Sequence, residues 1–183
     1  MRAIDPRVSF AELETWPEDG RRYELYDGEV VMVAMPLPRH QRVATNIGDV
    51  LKDYERARGG LVFANPIDIV LSEYDVVQPD VVFFREERRH LIDMMQVTRV
   101  PPDLAVEVLS RSTEARDRGR KMDLLARFRA PEYWIVDPVG NTLEVYTLAG
   151  AGYRLADVCS GDQHVQSPTL PGLSFAASRL FVE

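Results

Sequence analysis

The sequence predicts an α/β fold, a mixed sheet flanked by helices, with a β-hairpin before the core and a β extension after it. Three observations carry this. A stretch with helical apolar spacing is followed by three extended stretches, a second helical stretch and another strand. Two of the extended stretches are dense in branched apolar residues, as buried central strands are. No linker, repeat or low-complexity tract interrupts the 183 residues, a length that suits one domain with a substantial core. The expected domain is 1–183, with its core at about 40–138.

In chain order, Ser9 to Trp16 reads as a short helix with Ser9 as N-cap, ended by Pro17-Glu18-Asp19-Gly20. Arg22 to Val33 reads as a hairpin, because Asp27-Gly28 stands between two strand-like runs. Pro36 and Pro38 mark a loop. From about His40 to Arg58, Val43, Ile47, Val50, Leu51 and Tyr54 recur at helical spacing, and Gly59-Gly60 is the stop signal. The extended stretches are Leu61 to Leu71, Val76 to Phe84 and Leu104 to Ser110. A polar connection, Arg85 to Asp103, separates the last two. Thr113 to Arg129 returns to helix, with Met122, Leu125, Ala126 and Phe128 on its apolar side and Pro131 beyond its end. Tyr133 to Asp137 is a strand, and Thr142–Leu148 with Tyr153–Val158 a terminal hairpin. Pro168 to Val182 is a closing loop and short helix.

Composition sets further bounds. Apolar residues make up 45% and charged residues 28%, as in soluble globular proteins. The stretch from Met1 to Pro6 has no secretory apolar core, and no apolar run reaches the roughly 18 residues of a membrane span. A cytoplasmic protein without membrane contact is therefore expected. The single cysteine, Cys159, rules out an internal disulfide and a multi-cysteine zinc site. His40, His90 and His164 lack ligand spacing. A net charge of −7 argues against a broad basic face for nucleic acid, but leaves room for local contacts.

The chemistry-bearing candidates start with Asp80 and Glu107, each in a run that otherwise looks buried. An unpaired buried carboxylate costs several kcal/mol, so something must neutralise it. A divalent cation does so, since Mg²⁺ takes one or two carboxylates plus water and substrate phosphate. Pairing with arginine is the plain alternative. Lys121 is one of only two lysines among 22 basic residues. From the helix after Glu107 it could reach the same strand ends and stabilise charge on a phosphate, or simply be solvated. The segment from Arg111 to Arg129 holds Arg111, Arg116, Arg118, Arg120, Lys121, Arg127 and Arg129 against Glu114, Asp117 and Asp123, an excess of four. Arg111, Arg116, Arg118 and Arg120 are candidate phosphate contacts, or a solvated helix face laced by pairs such as Glu114–Arg118. Glu24 and His40 are accessory candidates: Glu24 for a metal shell or a structural hydrogen bond, His40 for a phosphate at a helix start. No phosphate-binding loop, dinucleotide fingerprint or nucleophile elbow occurs. Cys159 has no acid–base partner nearby in sequence.

Together these residues resemble a known family. Pro79-Asp80 followed one strand later by Glu107, in this element order, resembles the PD-(D/E)XK nuclease superfamily. More closely, the chain resembles its Uma-two family. The landmarks are Tyr23 to Glu29, His40, Gln78-Pro79-Asp80-Val81, Val106 to Ser110, Arg116-Asp117, Lys121, Glu132 to Pro138 and Ser167-Pro168 to Leu173. The resemblance implies a restriction-endonuclease-like core and a Mg²⁺-dependent DNA endonuclease, with Mn²⁺ as an alternative cation. Asp80 and Glu107 would be metal ligands and Lys121 the catalytic lysine. The superfamily lysine usually stands two residues after the acid, where this chain has Leu109, and a tyrosine is usual four residues after the family lysine, where it has Leu125. Those departures keep open a catalytically weak or inactive nuclease-fold protein that binds nucleic acid or serves assembly. Cutting both strands of a duplex would need two sites, hence a homodimer or higher homo-oligomer.

Overall fold

Asp27 and Gly28 both adopt positive φ, 50° and 79°, and reverse the chain between β1 (Arg22–Tyr26) and β2 (Glu29–Val33). Two left-handed residues in succession are what a tight two-residue hairpin requires. The structure is a computed structural model describing residues 7–183. Met1 to Pro6, on which the lack of a secretory core was read, lies outside them. Ahead of the hairpin, α1 (Phe10–Leu13) begins at Ser9 with a capping box shared with Glu12. After it, α2 (Pro38–Arg58) starts two residues before the expected His40, because a proline suits the first helical turn.

The extended runs that follow divide further than their composition suggests. Leu61 to Leu71 yields β3 (Leu61–Phe63) and β4 (Ile69–Ser72). Val76 to Phe84 yields β5 (Asp75–Val77) and β6 (Val81–Phe84), broken at Gln78-Pro79-Asp80. Pro79 has no amide to give a ladder, and there the chain leaves one sheet for another. β7 (Leu104–Val108) is followed by α3 (Glu114–Asp117) and α4 (Arg120–Arg127), two helices where one was expected. Gly119 stands at the break. Then come β8 (Glu132–Asp137), β9 (Thr142–Ala149) and β10 (Gly152–Ser160). The closing segment adds a small antiparallel pair, β11 (His164–Gln166) with β12 (Ser174–Ala176), the second strand lying inside the expected closing loop, and a 3₁₀ turn at Ala177–Phe181.

One sheet has the order β2-β1-β5-β4 and the other β10-β9-β8-β7-β6-β3. In the larger sheet β7 and β8 run parallel and the other neighbours antiparallel. The expected order of helix, three strands, helix, strand is thus realised as α2, β3, β6, β7, α4, β8, with β4–β5 inserted into the smaller sheet. No helix among the described residues is long and apolar enough to cross a membrane.

Alternation along β7 assigns the two faces of the larger sheet. Leu104, Val106 and Val108 face α2, packing with Ile47, Leu51, Trp134 and the C-terminal residues Leu170, Phe175 and Leu180. Ala105 and Leu109 face the other way, against Leu124 and Leu125 of α4 and Tyr133. Glu107, with the parity of Ala105 and Leu109, is carried to the α4 face. A third cluster, Phe10, Leu25, Val70 and Val76, closes the smaller sheet.

Candidate active site

The register of β6 on β7 pairs Val81 with Val106, so the next step along sets Asp80 opposite Glu107. Asp80 is therefore not inside a strand, as its apolar neighbours suggested. It stands at the mouth of β6, where the break at Pro79 frees its carboxylate. One oxygen, Oδ2, accepts from the Val108 amide at 2.8 Å and lies 3.1 Å from His40 Nε2. That fixes the carboxylate with its other oxygen uncommitted. His40 comes from the first turn of α2, with its Nε2 facing Asp80. Burial pulls the imidazole pKa down, but the hydrogen bond and the charge of Asp80 outweigh it and raise the value.

Across from Asp80, Glu107 is almost completely buried. Lys121 Nζ lies 2.9 Å from Glu107 Oε1, 2.8 Å from Glu24 Oε1 and 3.9 Å from Asp117 Oδ1. Lys121 itself is 1% exposed, so the solvated alternative for it does not hold. Burial alone lowers its pKa. The surrounding carboxylates, Glu107 first and then Glu24, instead hold its pKa well above that of a free lysine. Glu107 is pushed well above the ordinary carboxylate range, first by burial and then by Asp117, Asp80 and Glu24, against the pull of Lys121.

The two glutamates differ in their bonding. Glu24, fully buried in β1, accepts from the Gln78 amide at 2.8 Å and the Tyr26 hydroxyl at 2.9 Å, besides its contact with Lys121. Burial raises its pKa, but Lys121 and Arg116 reverse this and hold it below the free value. Glu24 is a satisfied anchor for Lys121. Glu107 Oε1, although close to Lys121, is off the hydrogen-bonding line and has no hydrogen bond.

Sequence reasoning missed Asp117 as a site residue, naming it only as a family landmark and a countercharge. It is 1% exposed, and both its carboxylate oxygens lack a hydrogen-bond partner. The nearby Thr113 hydroxyl is engaged with Ser110 at 2.9 Å. The signal was its spacing: four residues before Lys121, the distance at which helical side chains meet.

Asp80, Glu107, Asp117, Lys121 and His40 all line one cavity of about 440 Å³. Neither Asp80 nor Glu107 is locked onto an arginine. Of the four candidate phosphate contacts, Arg111 and Arg116 border this cavity. The other two do not. Arg118 is held by Glu144 through two bonds of 2.7 and 2.8 Å. Arg120 pairs with Glu29 at 2.9 Å and lies over the Tyr26 ring. Both are fixed by acids on neighbouring strands that a count along the helix leaves out. Arg22 and Arg39, from β1 and α2, join the cavity wall unforeseen. Leu109 also lines it, while Leu125 is fully buried in the core.

Among the described residues, no three His, Cys, Asp or Glu side chains are gathered as a ready metal cage. Mg²⁺ does not need one, since it binds through one or two carboxylates and keeps several waters. The uncommitted oxygen of Asp80 and the unbonded oxygens of Glu107 and Asp117 are hard donors of the type it takes, so the residues fit the ion.

A family model named Uma2, "Putative restriction endonuclease", matches residues 10–178. The chain belongs to this family. The crystal structure of a protein described as a putative nuclease of DUF820, from Anabaena variabilis ATCC 29413, shares the Uma2 chain's fold. Its TM-score is 0.79 at 18% identity, covering 95% of this chain and 97% of that one. No curated protein matches the chain. A nuclease-like protein built on a mixed sheet follows from the family and the fold.

Proposed function

We propose that this Uma2 protein is a Mg²⁺-dependent endonuclease that hydrolyses DNA phosphodiesters, with Mn²⁺ able to substitute. The observation that carries the reading is the meeting of Asp80, Glu107 and Lys121, from three separate elements, on one cavity, with neither carboxylate sequestered by arginine. Asp80 and Glu107 would hold the cation, and Asp117 adds a third carboxylate to the same wall. When bound, the cation supplies Lewis acidity to the phosphate and to water.

The chain's own residues do the rest. Lys121, kept cationic by Glu24 and Glu107, offsets the negative charge that builds on the phosphate. His40 and the Val108 amide keep Asp80 in one orientation. Arg22 and Arg111 make no ion pair among the described residues, so each can bind a phosphate without first giving up a partner. Arg116 sits behind, 3.4 Å from Glu24 and 3.6 Å from Asp117, and tempers the negative field. A symmetric homodimer would carry two such sites.

The test is cleavage of plasmid and of single-stranded DNA with Mg²⁺ or Mn²⁺, beside Asp80→Ala and Glu107→Gln, with metal binding followed by calorimetry. Metal-dependent cleavage lost in both variants is expected. A folded wild type that neither cuts DNA nor binds either cation would refute the reading and favour a binding or assembly role.

A further inference from the structure

The reacting groups of this site are recessed. Side-chain exposure is 3% for Glu107, 2% for Lys121 and 15% for Asp80. The rim above them is the reverse: Met35 is 78% exposed, Leu37 72% and Val139 87%. These lie on the loop between β2 and α2 and on the turn after β8, and all three border the cavity. A second cavity of about 690 Å³ adjoins the first and shares Arg22 and Gln78 with it. Its walls include Phe63, Ile92, Met94 and Met95, of which Met95 is 85% exposed.

We infer that the substrate is an unpaired strand of DNA, which enters the recess at Leu37 and Val139 and leaves along the second cavity past Arg22. The inference rests on the nuclease reading and narrows its substrate. Duplex DNA is stiff, with a persistence length of about 50 nm, and carries its phosphates on the outside of a wide cylinder. Carboxylates this covered are less accessible to such a phosphate than to one on a flexible strand. A single strand bends freely and can present one phosphate inward while its bases turn outward. The rim then offers those bases apolar contact from Met35, Leu37 and Val139. Phe63 offers a ring in the second cavity, and stacking of this kind is indifferent to sequence. Charge agrees with this arrangement. A net charge of −7 argues against the broad basic face that holds a duplex. Yet Arg22 stands at the junction of the two cavities with no acid on it among the described residues.

The experiment separates binding from cleavage. Fluorescence anisotropy of a labelled oligonucleotide, single-stranded or annealed to its complement, is measured on the full wild-type chain in EDTA. The single strand is expected to bind at least about tenfold more tightly, the low end of what one or two stacked bases contribute. Met35→Ser/Leu37→Ser, two exposed substitutions that should leave the melting temperature unchanged, and Arg22→Ala should each erode that preference severalfold. With Mg²⁺ or Mn²⁺, a DNA carrying a single-stranded flap should be cut in the flap. Tight single-strand binding without cleavage under any metal would sink the nuclease reading, and with it the strand's role as substrate, while leaving the single-strand path through the two cavities standing. Cleavage confined to intact duplex, or equal affinity for both forms, would overturn this inference and spare the nuclease. So would a rim variant that dissociates a dimer in sedimentation yet keeps wild-type single-strand affinity, because the rim would then be a self-interface.

Discussion

Replacing Lys121 by alanine should cost the fold as much as the chemistry. Its ammonium stands within 3 Å of two buried carboxylates, 2.8 Å from Glu24 and 2.9 Å from Glu107, with Asp117 at 3.9 Å. Deleting one partner of a buried pair leaves an uncompensated charge and costs about 3–5 kcal/mol. A domain of this size loses about 2–4 °C of melting temperature per kcal/mol, so a loss of about 4 kcal/mol lowers the midpoint by about 8–16 °C. The deficit also has a sign in pH. Without the lysine, Glu24 and Glu107 would have folded-state pKa values above their unfolded ones. Such groups favour the fold while protonated and lose that support as pH rises through the folded value. The gap between Lys121→Ala and wild type should thus be wider at pH 7.5 than at pH 5. Thermal unfolding followed by circular dichroism at both pH values measures it. Lys121→Met combined with Glu107→Gln should recover part of the loss, because one stranded charge is gone. A melting point for Lys121→Ala within about 2 °C of wild type at pH 7.5 would refute the buried cluster. The same reasoning makes Glu107→Gln, which leaves Lys121 on Glu24, the cleaner probe of catalysis.

Other perturbations bear on the frame around the site. Glu144 is held below the usual carboxylate range, first by its hydrogen bonds from Arg118, against burial, and then by Tyr146. A depressed folded pKa gives stability that is present above the unfolded value and lost as pH falls through the folded one. Glu144→Gln should therefore flatten the fall in melting temperature below about pH 4.5, and an unchanged slope would deny the pair its role. Burial pushes the Cys159 thiol up to about 11, so at pH 7.5 it should react with a disulfide reagent only after denaturation; rapid labelling of the native protein would contradict its placement. Gly60 has φ 103°, and a Cβ there would meet the Phe84 carbonyl oxygen at 2.7 Å. Gly60→Ala should lower stability by more than about 1 kcal/mol in urea unfolding. A neutral result would mean that the turn between α2 and β3 is built otherwise.

How much of this was legible in the sequence depended on whether the signal was local. The Asp27-Gly28 hairpin, the N-cap at Ser9 and the helix ending at Gly59 were readable, because turn and cap chemistry act over a few residues. The division of Val76 to Phe84 was not. Val77 and Val81 look alike as letters, and only the sheet assignment shows that Pro79 carries the chain from one sheet to the other. That crossing is what presents Asp80 to Glu107. The charge excess in 111–129 misled for the same reason. Arg118 goes to Glu144, Arg120 to Glu29 and Arg127 to Asp75, 2.8 Å away. Each acid lies on a strand outside the segment that was summed. Lys121, one positive charge among seven in that count, instead faces three buried carboxylates. A site of this kind is set by which charges lose their water together. Burial removes Glu24, Glu107 and Asp117 from solvent in one place, where Lys121 and Arg116 face them. On the proposed function, a cation would be drawn to these carboxylates, although the linear sequence shows a basic stretch.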